Sequence, residues 1–557
     1  VSDVEDIKRE SRHLRGTIAE SLADGGTSFG ESDQQLIKYH GIYQQEDRDA
    51  RTERKKAGLE PSYAFMLRSR VPGGVLNARQ YLVHDELAGS VSNGSLRLTT
   101  RQAFQLHGVL KGDLKTAIKR ISDSLLTTIA ACGDVNRNVM SCPAPPSTQS
   151  ECDVAQLAHR LAEHFTPKTR AYAEIWIDGE RADAPDIAEE DVEPIYGKTY
   201  LPRKFKMGVA LPPDNCVDIF TQDIGFVAIV RDEKLVGYTM LVGGGMGMTH
   251  GKTTTYPRVG TPLCFVTPSE AIEVAEAVLT TQRDFGDRTN RKHARLKYLV
   301  EDRGIAWIRS EVERRVGRAI ALPVEFHFER LDDHLGWREQ STGAFALGLL
   351  VENGRVKDTE HAKLRSALRA VITEFAPPLR LTGQQNILLL DIAAEDRPRI
   401  EARFAQFGVN TDPAASGVHR HAMACPALPT CGLALTDAER ALPAVVDDIV
   451  EILESVGLDD ERLSIRMTGC PNGCARPYMG DVGFVGRSKD LYDIFLGGDF
   501  ANTRLNWLYM SSVRRDQLAR ELQPLLLAWS RERIDAEGFG DYCSRTSERI
   551  RSLAQAR

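Results

Sequence analysis

No stretch of this 557-residue chain approaches the roughly 20 consecutive apolar residues that cross a bilayer, so no membrane-spanning helix is expected. The opening Val1–Glu10 is charged and lacks the apolar core of a signal peptide, which makes the cytoplasm the expected location. A dominant charge is missing too: a net −7 and a pI near 6.1 give no reason to expect nucleic acid or an anionic membrane as partner. Ten cysteines are too few for a disulfide scaffold in so long a chain. Six of them (Cys132, Cys142, Cys152, Cys216, Cys264 and Cys543) stand singly and read as buried or inert thiols. Nucleotide-loop order is absent as well. The run Gly243-Gly-Gly-Met-Gly247 lacks the G-x-G-x-x-G pattern and reads as a tight turn.

What is present is a soluble protein's balance, 42% hydrophobic and 27% charged, at a length that implies three or four lobes. The first sixty residues are polar, with apolar anchors at Ile37, Tyr39, Ile42 and Tyr43, and read as an arm wrapped on something larger. Beyond it the chain repeats. Leu96-Arg-Leu-Thr-Thr-Arg-Gln102 returns as Leu379-Arg-Leu-Thr-Gly-Gln-Gln385, and Asp223-Ile-Gly-Phe-Val227 returns as Asp481-Val-Gly-Phe-Val485. Both pairs keep the same order, which favours a duplicated two-lobe unit with a shared site near a pseudo-twofold axis. Short β-rich runs alternate with helices in each copy. Thr267-Pro-Ser-Glu270 and Thr436-Asp-Ala-Glu439 read as capping boxes. Leu442, Val445, Val446, Ile449, Leu453 and Val456 mark one helical face that stops at Gly457.

The remaining cysteines are grouped. Cys425-x5-Cys431 is followed, after 38 residues, by Cys470-x3-Cys474. Zinc ribbons use C-x2-C knuckles, and neither pair has that spacing. Four thiolates suit a 4Fe–4S cluster, and Pro426, Pro429, Gly432, Pro471 and Gly473 let backbone bend around one. Spacing alone favours iron–sulfur over zinc or unrelated thiols without excluding either. Cys431 lies shortly before the predicted helix, where unsatisfied N–H groups would suit an anionic cluster.

Cations alternate along three segments, which puts each pair on one strand face: Arg68 and Arg70, Arg97 and Arg101 about Thr99, and Lys204 and Lys206. One such pair is a solvated face, but three point to an anion pocket, with Arg for planar carboxylates and Lys as mobile charge and proton donor. His107 alone reads as a structural hydrogen-bonding residue. No flavin or nicotinamide site is legible, so electrons have to come from another protein.

Met423-Ala-Cys-Pro-Ala-Leu-Pro-Thr-Cys431 and Thr468-Gly-Cys-Pro-Asn-Gly-Cys-Ala-Arg-Pro477 resemble the paired cluster motifs of the assimilatory sulfite reductase hemoproteins, within the siroheme/4Fe–4S nitrite and sulfite reductases. His40-Gly-Ile-Tyr-Gln-Gln45, Leu96–Gly108, Asn136-Arg-Asn-Val139 and Leu201–Lys206 extend the likeness from about residue 7 to 545. The resemblance implies an α+β fold of duplicated pseudo-twofold architecture, with ferredoxin-like half-domains and two siroheme/4Fe–4S-type α/β lobes. The division it implies is an N-terminal arm (1–60), first half-domain (61–125), first lobe without cluster (126–315), second half-domain (316–400) and cluster lobe (401–557). It implies cluster ligands Cys425, Cys431, Cys470 and Cys474, with Cys474 shared with the siroheme iron. Arg68, Arg137, Lys204 and Lys206 match its substrate-binding positions. Arg97, Thr99, Arg101, Gln105, His107 and Asn472 match residues lining the siroheme. Only the second lobe is expected to hold cysteines, none standing near Asp223 in the first.

The activity implied is reduction of sulfite to sulfide by six electrons. Nitrite reduction to ammonia is the alternative within the same architecture, and a zinc-stabilised binding protein is the non-enzymatic one. Lys206, where related nitrite enzymes carry Asn, favours sulfite. His13-Leu-Arg-Gly-Thr-Ile-Ala-Glu20 resembles hemoproteins served by an NADPH-oxidising flavoprotein, whereas Leu98–Gln102 and Cys474–Met479 resemble ferredoxin-dependent enzymes. Net negative charge is unhelpful for docking an acidic ferredoxin, and tips the expectation toward the flavoprotein.

Overall fold

The computed structural model describes residues 3–168, 176–177, 180–181, 193–412 and 415–555. Two five-stranded sheets form its centre. The first joins β1 (Ile42–Glu46), β2 (Tyr63–Arg68), β4 (Leu96–Leu98) and β5 (Phe104–Val109) in the order β1-β2-β5-β4, and the short β3 (Val75–Leu76) leaves it. A two-stranded hairpin, β6 (Trp176–Ile177) and β7 (Glu180–Arg181), follows in the chain. The other central sheet joins β12 (Gly336–Glu339), β13 (Phe345–Leu349), β15 (Leu379–Leu381) and β16 (Ile387–Ile392), while β14 (Arg355–Val356) leaves it.

The two leaving strands change places. β14 pairs with β4, and β3 pairs with β15, so each sheet is completed by the other copy. The exchange needs close backbone approach. A Cβ on Gly74 would meet Leu381 O at 2.3 Å, and one on Gly354 would meet Leu98 O at 2.4 Å, and both glycines have φ +72°. The expected duplication is therefore visible as reciprocal contact. Leucine, isoleucine and valine from both sheets and from the helices Ala78–Ser90, Leu114–Asp123 and Leu364–Phe375 merge into one core. In Leu114–Asp123 the buried residues Leu114, Ala117 and Ile121 recur at helical spacing, which presents one apolar stripe to that core.

Each central sheet is followed by a lobe with a sheet of mixed direction. In the first, β8 (Met207–Ala210) runs parallel to β9 (Ile224–Arg231), and β10 (Lys234–Val242) and β11 (Thr261–Val266) continue antiparallel. In the second, β18 (Ile465–Thr468) runs parallel to β19 (Val482–Ser488), followed antiparallel by β20 (Leu491–Leu496) and β21 (Trp507–Arg514). There β17 (Ala422–Ala424) adds a parallel edge, and the first lobe has its counterpart in the parallel bridge between Met140 and Gly208.

The N-terminal arm does more than wrap. Its β1 is the edge strand of the first sheet, and Lys8 on its first helix (Asp3–Glu10) is buried, donating to Leu201 O at 3.0 Å. Among the described residues no helix is long and apolar enough to cross a membrane.

Candidate cofactor and substrate site

The parallel strands β17 and β18 are neighbours, so their C-terminal ends lie together and both cysteine loops leave from one edge. Cys425 follows β17 and donates its N–H to Met467 O at 3.2 Å, and Cys470 comes just beyond β18. Cys425 Sγ accepts the Gly469 N–H, and Cys470 Sγ accepts Asn472 Nδ2–H, both at 3.4 Å. Burial, followed by the charges of neighbouring cysteines, pushes the Cys425 thiol well above its ordinary value and Cys470 up to about 12. Cys425 is influenced by Cys474, Cys470 and Cys431, and Cys470 by Cys474 and Cys431, so the four lie near one another. Such thiols become thiolates when a cationic centre sits between them. Cys474 is the exposed residue of the set, while Cys425 and Cys470 are buried and Cys431 is half-buried.

Two expectations change at this site. The helix expected shortly after Cys431 is present as Leu442–Glu454, but it starts eleven residues on, so no helix entry stands at the cysteine itself. Nor does Thr436–Glu439 form a capping box. Glu439 turns instead to Arg97 and to Arg355, whose Nε lies 2.7 Å from Oε1, and Thr436 Oγ1 accepts the Asp490 N–H. Two nearby guanidiniums attract that carboxylate more strongly than orphan backbone amides do. The Cys431 loop is held from outside by Arg48 of the arm, which the sequence reading did not single out. Its Nη1 donates to the carbonyls of Cys431 and Gly432, each at 3.1 Å. The Gly243–Gly247 run proves to be a strap across the other cysteine loop. Met248 N–H donates to Pro471 O at 2.9 Å, and Lys297 Nζ supports the strap through Gly247 O at 2.8 Å.

The cations of the first copy face this edge. The parallel bridge of Asn136 with Phe205 sets Arg137 beside Lys204 and Lys206, which project to one side about Phe205. Burial, then Arg203, Arg137 and Arg295, hold the Lys204 ammonium well below its ordinary value, while Cys474 acts in the opposite sense. Lys206 is lowered likewise by burial, then by Arg101 and Lys204. Among the described residues neither ammonium has a hydrogen-bond or ion-pair partner. Arg68 stands at the margin, donating to Cys132 Sγ at 3.1 Å and lying 3.2 Å from the Gln105 amide oxygen once that amide faces it. Arg203, in the same segment, is a cluster member that sequence reasoning passed over; its place beside Lys204 in the quoted motif was the available signal.

Other predicted residues are engaged within the protein. Arg70 points away into the first lobe, donating to Ala162 O at 2.8 Å. Arg97 donates to Ala424 O at 2.8 Å, so it braces the cysteine loop. Arg101 spans Asn138 O at 3.0 Å and Gln222 Oε1 at 2.6 Å. Thr99 Oγ1 accepts the N–H groups of Arg101 and Ala103, both at 3.2 Å, and shapes the turn. His107 is buried and held neutral by burial and by Arg355, Arg97 and Arg68, and its Nε2 is a buried atom without a partner. Two ammonium groups crowded by guanidiniums and without a carboxylate partner among the described residues, beside the four cysteines, fit a polyanionic cofactor next to a metal cluster.

Comparison with known proteins matches two kinds of building block along the chain. The family model "Nitrite and sulphite reductase 4Fe-4S domain" matches residues 157–320 and 416–554. The model "Nitrite/Sulfite reductase ferredoxin-like half domain" matches 59–123 and 338–407. The sulfite reductase [NADPH] hemoprotein beta-component of Geobacillus kaustophilus is 48% identical over 545 residues, covering 98% of this chain and 95% of that protein. The protein of the same name from Myxococcus xanthus is 48% identical over 546 residues, covering 98% and 96%. The structure of Mycobacterium tuberculosis NirA protein shares the fold at TM-score 0.79 and 23% identity, covering 98% of this chain and 96% of that one. With both building blocks matched twice in the order the duplication requires, the chain belongs to the nitrite and sulphite reductase family.

Proposed function

We propose that the chain reduces sulfite to sulfide, with Cys425, Cys431, Cys470 and Cys474 holding a 4Fe–4S cluster and Cys474 also reaching a siroheme. The observation that carries this reading is that Lys204 and Lys206, buried among Arg101, Arg137 and Arg203, have no ion-pair partner among the described residues, with Cys474 near enough to Lys204 to act on its ammonium. When bound, siroheme and cluster would supply the electrons and a redox-active iron. Arg68, Arg137, Lys204 and Lys206 hold the anion and orient its oxygens. Each departing oxygen leaves as water and needs protons, and an ammonium whose proton is loosened by burial and neighbouring cations donates more readily than one in water. Arg101, Gln105, His107 and Asn472 line the cofactor, with Arg97 and Thr99 shaping its wall. The relatives' shared name supports a separate NADPH-oxidising flavoprotein as donor over a ferredoxin.

Purified protein should show the strong visible absorption of siroheme, which a zinc protein lacks. With a neutral artificial reductant, Lys206→Asn should lower sulfite turnover about 100-fold or more, the range for losing a positioned proton donor, and nitrite turnover far less. Equal losses on both substrates would remove Lys206 as the discriminating residue. Supplying flavoprotein and ferredoxin separately decides the donor.

A further inference from the structure

The first lobe is not bare of cysteines near Asp223. Cys216 stands seven residues before Asp223, as Cys474 stands seven before Asp481. Met140-Ser-Cys-Pro-Ala144 likewise parallels Met423-Ala-Cys-Pro-Ala427, which makes Cys142 the counterpart of Cys425. Two of the six scattered cysteines thus sit where the other lobe holds cluster ligands. The remaining positions have changed: Pro212 stands in place of Cys470, and Asp214 in place of Asn472.

The fold adds a histidine from outside the lobe. Cys142, Asp214, Cys216 and His334 each offer a ligand atom, and all four atoms lie within 4.8 Å of one another. Cys142 Sγ is 4.0 Å from both Asp214 Oδ2 and His334 Nε2, which are 3.6 Å apart. A tetrahedron with bonds of about 2.0–2.3 Å has edges of roughly 3.3–3.8 Å, so the group has to draw in by up to about 1 Å on binding. Asp214 is preset to bind through one oxygen. Its Oδ1 accepts the N–H groups of Cys216 at 3.1 Å and Asp332 at 2.9 Å, which leaves Oδ2 toward the cysteine and histidine. Cys216 and His334 are 3% and 4% exposed, so the interior is shielded. A cleft of about 200 Å³ lined by Ala144, Pro145, Arg338 and His334 gives a way in.

We propose that Cys142 Sγ, Cys216 Sγ, His334 Nε2 and Asp214 Oδ2 bind one Zn²⁺ ion, in the place where the second lobe holds its cluster. Two thiolates, one imidazole and one carboxylate at single-ion separations are a zinc donor set, and too few thiolates remain for a cubane. The ion clips three distant segments, tying the first lobe to the strand that begins the second central sheet.

The test is metal analysis of the holoenzyme after dialysis against micromolar Zn²⁺, with protein iron as internal standard. About one zinc per chain is expected, with zinc-edge X-ray absorption giving two sulfurs near 2.3 Å and two lighter ligands near 2.0 Å. The Cys142→Ser/Cys216→Ser double variant and His334→Ala should each lower zinc at least tenfold, while visible absorption and iron content show the rest intact. Absence of zinc from the wild-type protein, a zinc shell without two sulfurs, zinc retained by folded variants, or a Cys142–Cys216 disulfide in the unreduced protein would each overturn the assignment. The wild-type spectrum decides it alone if a variant fails to fold.

Discussion

Asp218 and Arg476 occupy equivalent places in the two lobes, five residues before Asp223 and Asp481. Both are left-handed, at φ +49° and +54°, and both precede a single 3-10 turn, Ile219–Thr221 in one lobe and Pro477–Met479 in the other. Their charges are opposite, and they pair directly with each other, both buried. Strict symmetry would set like charges face to face there. Divergence turned the same backbone into an attraction, which Arg466 at 3.0 Å and Asn502 Nδ2 at 2.6 Å reinforce. The contrast extends to the chemistry. The second lobe presents four cysteines, whereas the first presents Lys204, Lys206 and Arg137, so the candidate site lies between two copies that specialised differently.

Three experiments press on that contrast. The largest effect is expected from Cys474→Ser, which should abolish sulfite reduction and the electronic coupling of siroheme to cluster in resonance spectra. Normal coupling in that variant would mean that Cys474 is not the shared ligand. Asp218→Asn should come next. Removing one charge from a buried ionic group typically costs about 3–5 kcal/mol, because Arg466 and Arg476 are left uncompensated. Chemical denaturation measures it, and a loss within experimental error would show that the interlobe pair is not needed for stability.

The smallest effect concerns pH. His84, on the helix Ala78–Ser90, is brought down to about 4 by burial, while the paired helix Leu364–Phe375 contains no histidine. A depressed histidine binds its proton more readily in the unfolded chain. Its stabilising contribution is therefore present above about pH 6.5 and lost as pH falls toward 4, on the order of 3 kcal/mol in all. His40, lowered to about 4 by burial, acts in the same direction. His84→Phe should flatten the decline of melting temperature over that window, and an unchanged slope would remove His84 as its source.

Much of the site was legible before any fold was known. The four clustered cysteines, the basic pair at Lys204 and Lys206, and the repeats at Leu96 and Asp223 all depend on spacings of a few residues, and chain geometry carries such spacings directly into loops and strand faces. Glu439 was not legible in the same way. Thr436–Glu439 satisfies a local rule, yet Arg97 and Arg355 come from other elements and outbid the cap. Arg48 reaches the Cys431 loop from the arm, and nothing in its neighbourhood announces that.

Sequence alone determined the kinds of ligand, their local order and the existence of two copies. Tertiary structure decided the pairings between copies: the exchange of β3 and β14, the Asp218–Arg476 contact, and the meeting of Cys142, Cys216 and His334. Residues far apart in the chain meet only when burial of apolar surface sets whole sheets and lobes in place, a collective outcome that leaves no short-range pattern to read.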